Sequence, residues 1–280
     1  MLPTFLVIGA AKCGTTTLCA RLEEHPDVFV ARPREIHYFG RKTAEKTPAW
    51  YRGHFESASG VPARGEGSTS YTHPDIITEA ADQILEEVPG ARLIYMVRHP
   101  LKRLESDWKM RRREGWAEED VNDAVAKRSS SLIRHGKYWS NLAVYRERFP
   151  AEQLLVVFLE DMIRDAEGQL RRCLEHVGVD PDVAIEEPGR VENRASEARQ
   201  DGLVAGLLRR SGVVDVARKL APAPVFELSK GLLTKDARYE ATWDPEVRRR
   251  LWEEEFAEES RLLLRDFGKP DDFWVAPDGP

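Results

Sequence analysis

The sequence predicts an α/β fold, a single domain with a central parallel sheet flanked by helices, and three observations predict it. Short apolar runs at Phe5–Ile8, Arg92–Val97 and Leu154–Leu159 read as buried parallel strands. Each run is followed by a stretch with helical spacing, and strands alternating with helices imply parallel crossovers with helices on both faces. The first run also breaks at Gly9 and resumes as a helix after Gly14, a glycine-framed strand–loop–helix unit.

Taken in order, the first helix spans about Thr15 to Glu24 and stops before His25-Pro26, since a residue preceding proline avoids the α region. Val28–Val30 reads as a short strand. It leads into a loop, through Gly40, dense in ionisable and aromatic groups. Trp50, Tyr51 and Phe55 suggest a short amphipathic helix. Residues 57–72 are rich in Ser, Gly and Thr and read as loop with a short strand near Arg64–Ser68. Ile76, Ile77, Ala80, Ala81, Ile84, Leu85 and Val88 mark a helix that Pro89-Gly90 ends. After the second strand, Leu101, Leu104 and Trp108 put a helix over 101–113, and a polar helix-compatible stretch follows over 117–128. Tyr138 to Phe149 is helical, and Asp165 to Val177 is helical with Gly178 as its cap. Residues 180–200 read as loop and 201–240 as short helices with a Pro-rich turn. Asp244-Pro245 starts a last helix that runs to about Phe267.

Composition narrows the function classes. The formal net charge of −6 argues against a broad nucleic-acid-binding face. No apolar run approaches a membrane span, so no integral membrane segment is expected. The N-terminus lacks a basic segment followed by a long apolar core, so no secretory signal is expected. Cys13, Cys19 and Cys173 have neither zinc-ligand spacing nor an even count, and reduced thiols in a cytoplasmic protein are the simplest reading. Cys13 reads either as a reactive thiolate or, more simply, as a small loop filler.

Two strand ends carry chemistry. In the loop after the first strand, backbone N–H groups and the helix dipole converge on Lys12, Gly14 and the hydroxyls Thr15, Thr16 and Thr17, which together make an anion cradle. Thr15 stands where a nucleotide triphosphatase has its lysine, so the loop suits a phosphate but does not suggest a metal-bound triphosphate. The second strand ends in Arg98, and the following helix carries Ser106 one to two turns in. A guanidinium and a hydroxyl there can hold a second phosphate, against the plainer readings of a surface ion pair and a solvated serine.

These residues resemble a known family. Lys12-Cys-Gly-Thr-Thr-Thr-Leu18 is similar to the 5′-phosphosulfate loop of the sulfotransferases that use 3′-phosphoadenosine 5′-phosphosulfate, PAPS. Tyr95 to Trp108, with Arg98 and Ser106 eight residues apart, resembles their 3′-phosphate motif. Arg34-Glu-Ile-His-Tyr-Phe39 resembles the Lys-Glu-x-His segment of the branch that includes heparan sulfate sulfotransferases and bacterial relatives. Gly136–Pro150, Leu154–Asp161 and the terminal Leu-Arg-Asp-Phe-Gly with Trp274 also look like that branch, so the resemblance covers most of the chain and is thinnest over 180–240.

The resemblance implies a sulfotransferase domain over 1–280, with 180–240 as a possible variable acceptor or lid region. It implies PAPS as co-substrate, no metal, and a small-molecule, lipid or sugar acceptor. The N–H groups from Cys13 to Thr16 would hold the phosphosulfate, Lys12 would stabilise the leaving oxygen, and Arg98 and Ser106 would bind the 3′-phosphate. Glu35 takes the general-base position and His37 shares or assists that role; the plainer reading pairs Glu35 with Arg32 or Arg34. Further donor contacts are expected from Arg199 and from Lys235 or Arg238. The chain departs from the family at Gly67, where glycosaminoglycan-modifying members carry a lysine after the glutamate. Either another cation replaces it or the acceptor chemistry differs. The alternatives are a P-loop kinase of a nucleoside or small molecule, with Glu160-Asp161 imitating a magnesium carboxylate, and a nucleotide-binding module without turnover.

Overall fold

The structure, a computed structural model, describes residues 1–41, 43–126, 130–183, 199–201, 234–236 and 239–275, with 199–201 and 234–236 described by backbone alone. Its strands are β1 (Phe5–Gly9), β2 (Val28–Val30), β3 (Ala63–Glu66), β4 (Arg92–Val97) and β5 (Leu154–Phe158). They form one sheet in the order β2-β3-β1-β4-β5, every neighbouring pair parallel. The short strands expected near residues 28 and 64 therefore complete the sheet on one side of the three apolar runs. β1 lies in the middle, with Phe5 opposite both Gly65 and Arg92, and Phe5 to Ile8 are fully buried.

Chain direction decides which face each helix covers. From β1 the chain crosses β3 to reach β2 through α1 (Thr15–Glu23). The chain passes α2 (Pro48–Gly53) between β2 and β3, and from β3 it crosses β1 in the opposite sense to reach β4 through α3 (Ile77–Glu87). Right-handed crossovers running in opposite senses place α1 and α3 on opposite faces. The path from β4 to β5 carries α4 (Pro100–Arg113), α5 (Val121–Ala126), α6 (Ser131–Arg134) and α7 (Tyr138–Arg146). Arg148, just beyond α7, pairs with Asp82 of α3 at 2.6 Å. After β5 come α8 (Leu159–Arg164) and α9 (Ala166–Val177), and α9 lies beside α1 through Arg21–Glu167 at 3.2 Å.

The single helix expected over 165–177 is preceded by a shorter one. α8 springs directly from the end of β5, and Asp165 separates the two by leaving the helical region (φ −141°) while its carboxylate accepts the Gly168 N–H at 2.9 Å. Gly178 closes α9 in the left-handed region (φ 88°).

The only described backbone between 184 and 238 is a small antiparallel ladder, β6 (Arg199–Asp201) with β7 (Thr234–Asp236). Loop and short helices were expected there. A pairing between segments so far apart in sequence leaves no local periodicity to read.

The last helix is also interrupted. It is built from α10 (Pro245–Leu251), a π turn over Trp252–Phe256 and α11 (Ala257–Asp266). Asp244 caps α10 by accepting the N–H groups of Glu246 (2.8 Å) and Val247 (3.2 Å), a cap worth about 1 kcal/mol. Trp274 follows and buries itself against Phe158 and Tyr138.

Candidate functional site

In a parallel sheet all carboxyl ends lie on one edge, and here that edge gathers every chemical group singled out from the sequence whose side chain is described. β1 delivers the glycine loop, β4 delivers Arg98, β2 leads to Glu35 and His37, and β3 ends in Glu66 with the turn Thr69–Thr72 behind it.

The loop needs its first glycine twice over. Gly9 sits at φ 150°, and a Cβ there would lie 2.0 Å from the Thr72 Oγ1, so the loop is pressed against the turn after β3. Gly14 (φ 91°) turns the chain into α1, whose first intrahelical bond runs from Leu18 N–H to Gly14 C=O at 3.0 Å. The amides of Gly14, Thr15 and Thr16 precede that bond and form the free amino end of the helix.

Cys13 differs from expectation. Its N–H closes the loop on the Ala10 carbonyl at 3.2 Å, so this amide shapes the loop and is already engaged. Its thiol is buried beside the Tyr138 hydroxyl at 3.5 Å, and burial pushes its pKa up to about 11, which makes it the inert filler and not a thiolate.

Lys12 adopts a left-handed backbone (φ 70°) and sends its ammonium to within 3.6 Å of the Met110 Sδ on α4. Burial pulls its pKa down, and the field of Asp107 is the strongest influence holding it up, with Glu35 a weaker one. Asp107 is itself buried in a cluster with Arg103 (3.0 Å), Arg111 (3.0 Å) and His135 (3.8 Å). Burial alone would raise its pKa, but these partners hold it far below the usual carboxylate range.

Arg98 reaches back across the gap between β4 and β1. Its Nη1 donates to the Lys12 carbonyl at 3.5 Å, so the two candidate anion-binding strand ends are in direct contact. The surface-pair reading of Arg98 does not describe this contact. Ser106, the seventh residue of α4, is half-buried. It stands on the same helix face as Met110, one turn on, and so on the side of α4 that meets Lys12.

Glu35 and His37 face each other. His37 Nε2 lies 3.2 Å from Glu35 Oε2, and the Thr69 hydroxyl donates to the same oxygen at 3.2 Å. Burial raises the Glu35 pKa above its ordinary value, opposed by hydrogen bonds from Thr69 and by the Lys12 field. Burial lowers the His37 pKa, helped by Arg41 and Lys46. The His37 ring thus bridges Glu35 through Nε2 and the Ser70 hydroxyl through Nδ1, the latter at 2.8 Å. Both side-chain contacts of Glu35 use Oε2, and the Thr69 backbone N–H adds a further bond to the carboxylate. The ion-pair alternative for this loop goes elsewhere: Arg32 (2.5 Å) and Arg34 (3.3 Å) both reach Glu23.

His37 shares with Lys12 a positive φ (54°) unusual for a residue other than glycine, at a cost of about 1–2 kcal/mol each. Lys46 holds the segment in place by donating to the His37 carbonyl at 2.6 Å and the Ile36 carbonyl at 3.3 Å.

Gly67 has a packing reason to be glycine. A Cβ there would fall 2.6 Å from the Cys19 Sγ on α1, pointing into the core rather than toward Glu35. Gly67→Ala is expected to destabilise the protein by about 1–3 kcal/mol. Urea denaturation should show Cys19→Ala recovering part of that loss, with independent additive effects as the refuting outcome.

Arg199 lies in β6, where backbone alone is described, and Arg238 lies outside the described residues. Of the acidic pair offered for a kinase, Glu160 accepts the His99 N–H through Oε1 at 2.9 Å, and Asp161 pairs with Lys269 and Arg164. His99 is structural, its ring stacked on Trp252 and its Nε2 3.0 Å from the Val275 carbonyl. Sequence reasoning missed Thr69, Ser70, Met110 and Asp107. Thr69 and Ser70 lay in the Ser-, Gly- and Thr-rich loop 57–72 and Asp107 in the Tyr95–Trp108 motif, but none was given a chemical role.

Comparison with known proteins agrees with this arrangement. The sulfotransferase family model matches residues 65–182. The mouse heparan sulfate glucosamine 3-O-sulfotransferase 3B1 is 31% identical over 186 residues, 64% of this chain and 46% of that protein. The nematode Caenorhabditis elegans bifunctional heparan sulfate N-deacetylase/N-sulfotransferase 1 is 26% identical over 58% of this chain and 20% of its own length. This chain thus spans about half or less of these curated relatives. A sulfotransferase crystal structure from Alicyclobacillus acidocaldarius superposes with a TM-score of 0.59 at 24% identity, over 68% of this chain and 87% of that one, and so shares the fold. The sheet order, the glycine loop and the Arg98 motif accord with a relationship to the sulfotransferase family, whose model matches the chain over residues 65–182.

Proposed function

We propose that the protein moves a sulfuryl group from PAPS to a hydroxyl or amine of a small-molecule, lipid or carbohydrate acceptor. The observation that carries this reading is the 3.5 Å contact between Arg98 and the Lys12 carbonyl, which joins two anion grips on neighbouring strands. A donor with phosphate at both ends of one nucleoside suits such a pair. The amides of Gly14 to Thr16, with the Thr15, Thr16 and Thr17 hydroxyls, hold the 5′-phosphosulfate at the helix amino end. Arg98 and Ser106 hold the 3′-phosphate.

In the reaction, the acceptor oxygen or nitrogen attacks sulfur as its proton passes to the Glu35 carboxylate. The bond from sulfur to the bridging oxygen breaks, and the electron pair stays on the 5′-phosphate of the departing adenosine 3′,5′-bisphosphate. Lys12 stabilises that growing charge in a site where burial strengthens the interaction. His37 orients Glu35 and does not compete for the proton, since its own pKa is lowered. Carbohydrate hydroxyls are the first acceptors to test, because the named relatives act on heparan sulfate. The Gly67 departure weighs against an acceptor route identical to theirs.

Thermal unfolding with ligand tests the donor. Adenosine 3′,5′-bisphosphate at a hundred times its dissociation constant should raise the melting temperature by about 5 °C. ATP with magnesium should raise it little. The reverse order would favour the kinase reading. Mass-spectrometric screening for sulfate added to a panel of acceptors then separates turnover from mere nucleotide binding.

A further inference from the structure

Behind Glu35 and His37 lies a carboxylate that the proposed reaction does not use. Glu66, at the end of β3, is fully buried and anchored by neutral donors from three directions. The Tyr51 hydroxyl of α2 donates to Oε1 at 3.3 Å, and Tyr71 also donates to Oε1. The Ser68 hydroxyl donates to Oε2 at 2.5 Å, and the Ile36 amide adds a backbone bond.

Ser68 is the link to the site. Its proton is committed to Glu66, so its oxygen accepts the His37 N–H, at 2.8 Å. That bond, the Lys46 bond to the His37 carbonyl and the Ser70 bond to Nδ1 hold residue 37 in its left-handed conformation with Nε2 against Glu35.

We propose that Glu66 is a positioning residue: its ionised carboxylate, acting through the Ser68 hydroxyl, sets the place of His37 and through it the aim of Glu35. This rests on Glu35 being the base of the proposed transfer. An acid proton on Oε2 would compete with the Ser68 proton and reorient the hydroxyl that His37 depends on. A proton on Oε1 would displace one of the two phenols.

The charge state of Glu66 changes in the working pH range, since burial lifts its pKa to about 7 against the pull of its donors. Its thiol and phenol neighbours titrate well above that range. Cys19 of α1 is pushed up to about 12, and Tyr51 of α2 and Tyr71 of the turn are held well above 10. Tyr38, whose N–H bonds to the Tyr71 hydroxyl, is pushed up as well. His37 titrates below its ordinary range, under the influence of Arg41 and Lys46.

The test follows the His37 ring by NMR in protein labelled with carbon-13 histidine, the signal assigned with His37→Gln. In the wild type, the His37 shift should show a second inflection near the Glu66 titration. Glu66→Gln should remove it. Ser68→Ala, a milder change, should also remove it while the Glu66 carboxyl, followed in carbon-13 glutamate protein, still titrates. Both variants should keep bisphosphate affinity by calorimetry and lose about tenfold in sulfuryl-transfer kcat. An unchanged His37 curve in Ser68→Ala overturns the proposal even if Glu66→Gln fails to fold. Loss of bisphosphate binding in the wild type, with the inflection present, would instead place the failure in the donor assignment.

Discussion

Glu35→Gln is expected to lower turnover by about 10²- to 10⁴-fold, the usual contribution of a general base, while leaving bisphosphate affinity within about twofold. Calorimetry with the bisphosphate and single-turnover kinetics with PAPS separate the two effects. Glutamine keeps the size of the side chain and can still accept from Thr69 and His37, so the loop should hold its shape. What it lacks is a basic oxygen for the acceptor proton. The wild-type pH profile carries the same information. A base works only when deprotonated, and burial raises the Glu35 pKa, so activity should rise with pH through a midpoint above the ordinary carboxylate value. The variant should lack that limb. Unchanged turnover in Glu35→Gln would remove this residue as the base and turn attention to His37.

Arg98→Ala should act on the opposite quantity. Loss of a charge-assisted contact to phosphate costs about 1.5–3 kcal/mol, so bisphosphate should bind roughly 10- to 100-fold more weakly. The control is adenosine 5′-phosphate, which lacks the 3′-phosphate and should bind both proteins alike. The guanidinium also props the loop through the Lys12 carbonyl, so a part of the loss can come from loop disorder. Weakening of both ligands to the same degree would mean that Arg98 supports the loop and does not hold the 3′-phosphate. Equal binding of the bisphosphate by both proteins would refute its assignment to the donor altogether.

Much of this site was legible because its signals are local. Phe5–Ile8 followed by Gly9 and Gly14 announces a strand, a turn and a helix start within a single stretch, and Arg92–Val97 followed by Arg98 does the same for the second grip. The Glu35–His37 segment was marked by its residues, yet the choice between a base and an ion pair was not. Both Arg32 and Arg34 reach Glu23, twelve residues before Glu35 on α1, a contact that no local pattern announces. The interruption of the last helix was missed because its residues keep helical spacing through the break, while the helix start at Asp165 was legible and only the short α8 before it was not.

By itself the sequence determined the strands and their parallel sense, and it marked two strand ends as candidate phosphate grips. These follow from short-range patterns of hydrophobicity, glycine and charge. Only the tertiary structure decided that Arg98 touches the Lys12 carbonyl, that Asp107 supports the Lys12 charge and that Glu66 lies behind His37. Such facts depend on strand order, because β3 and β4 flank β1 in space while lying far from it in the chain. A side chain's pKa and partners are set by what the fold brings within a few ångströms, and nothing local in the sequence carries that distance.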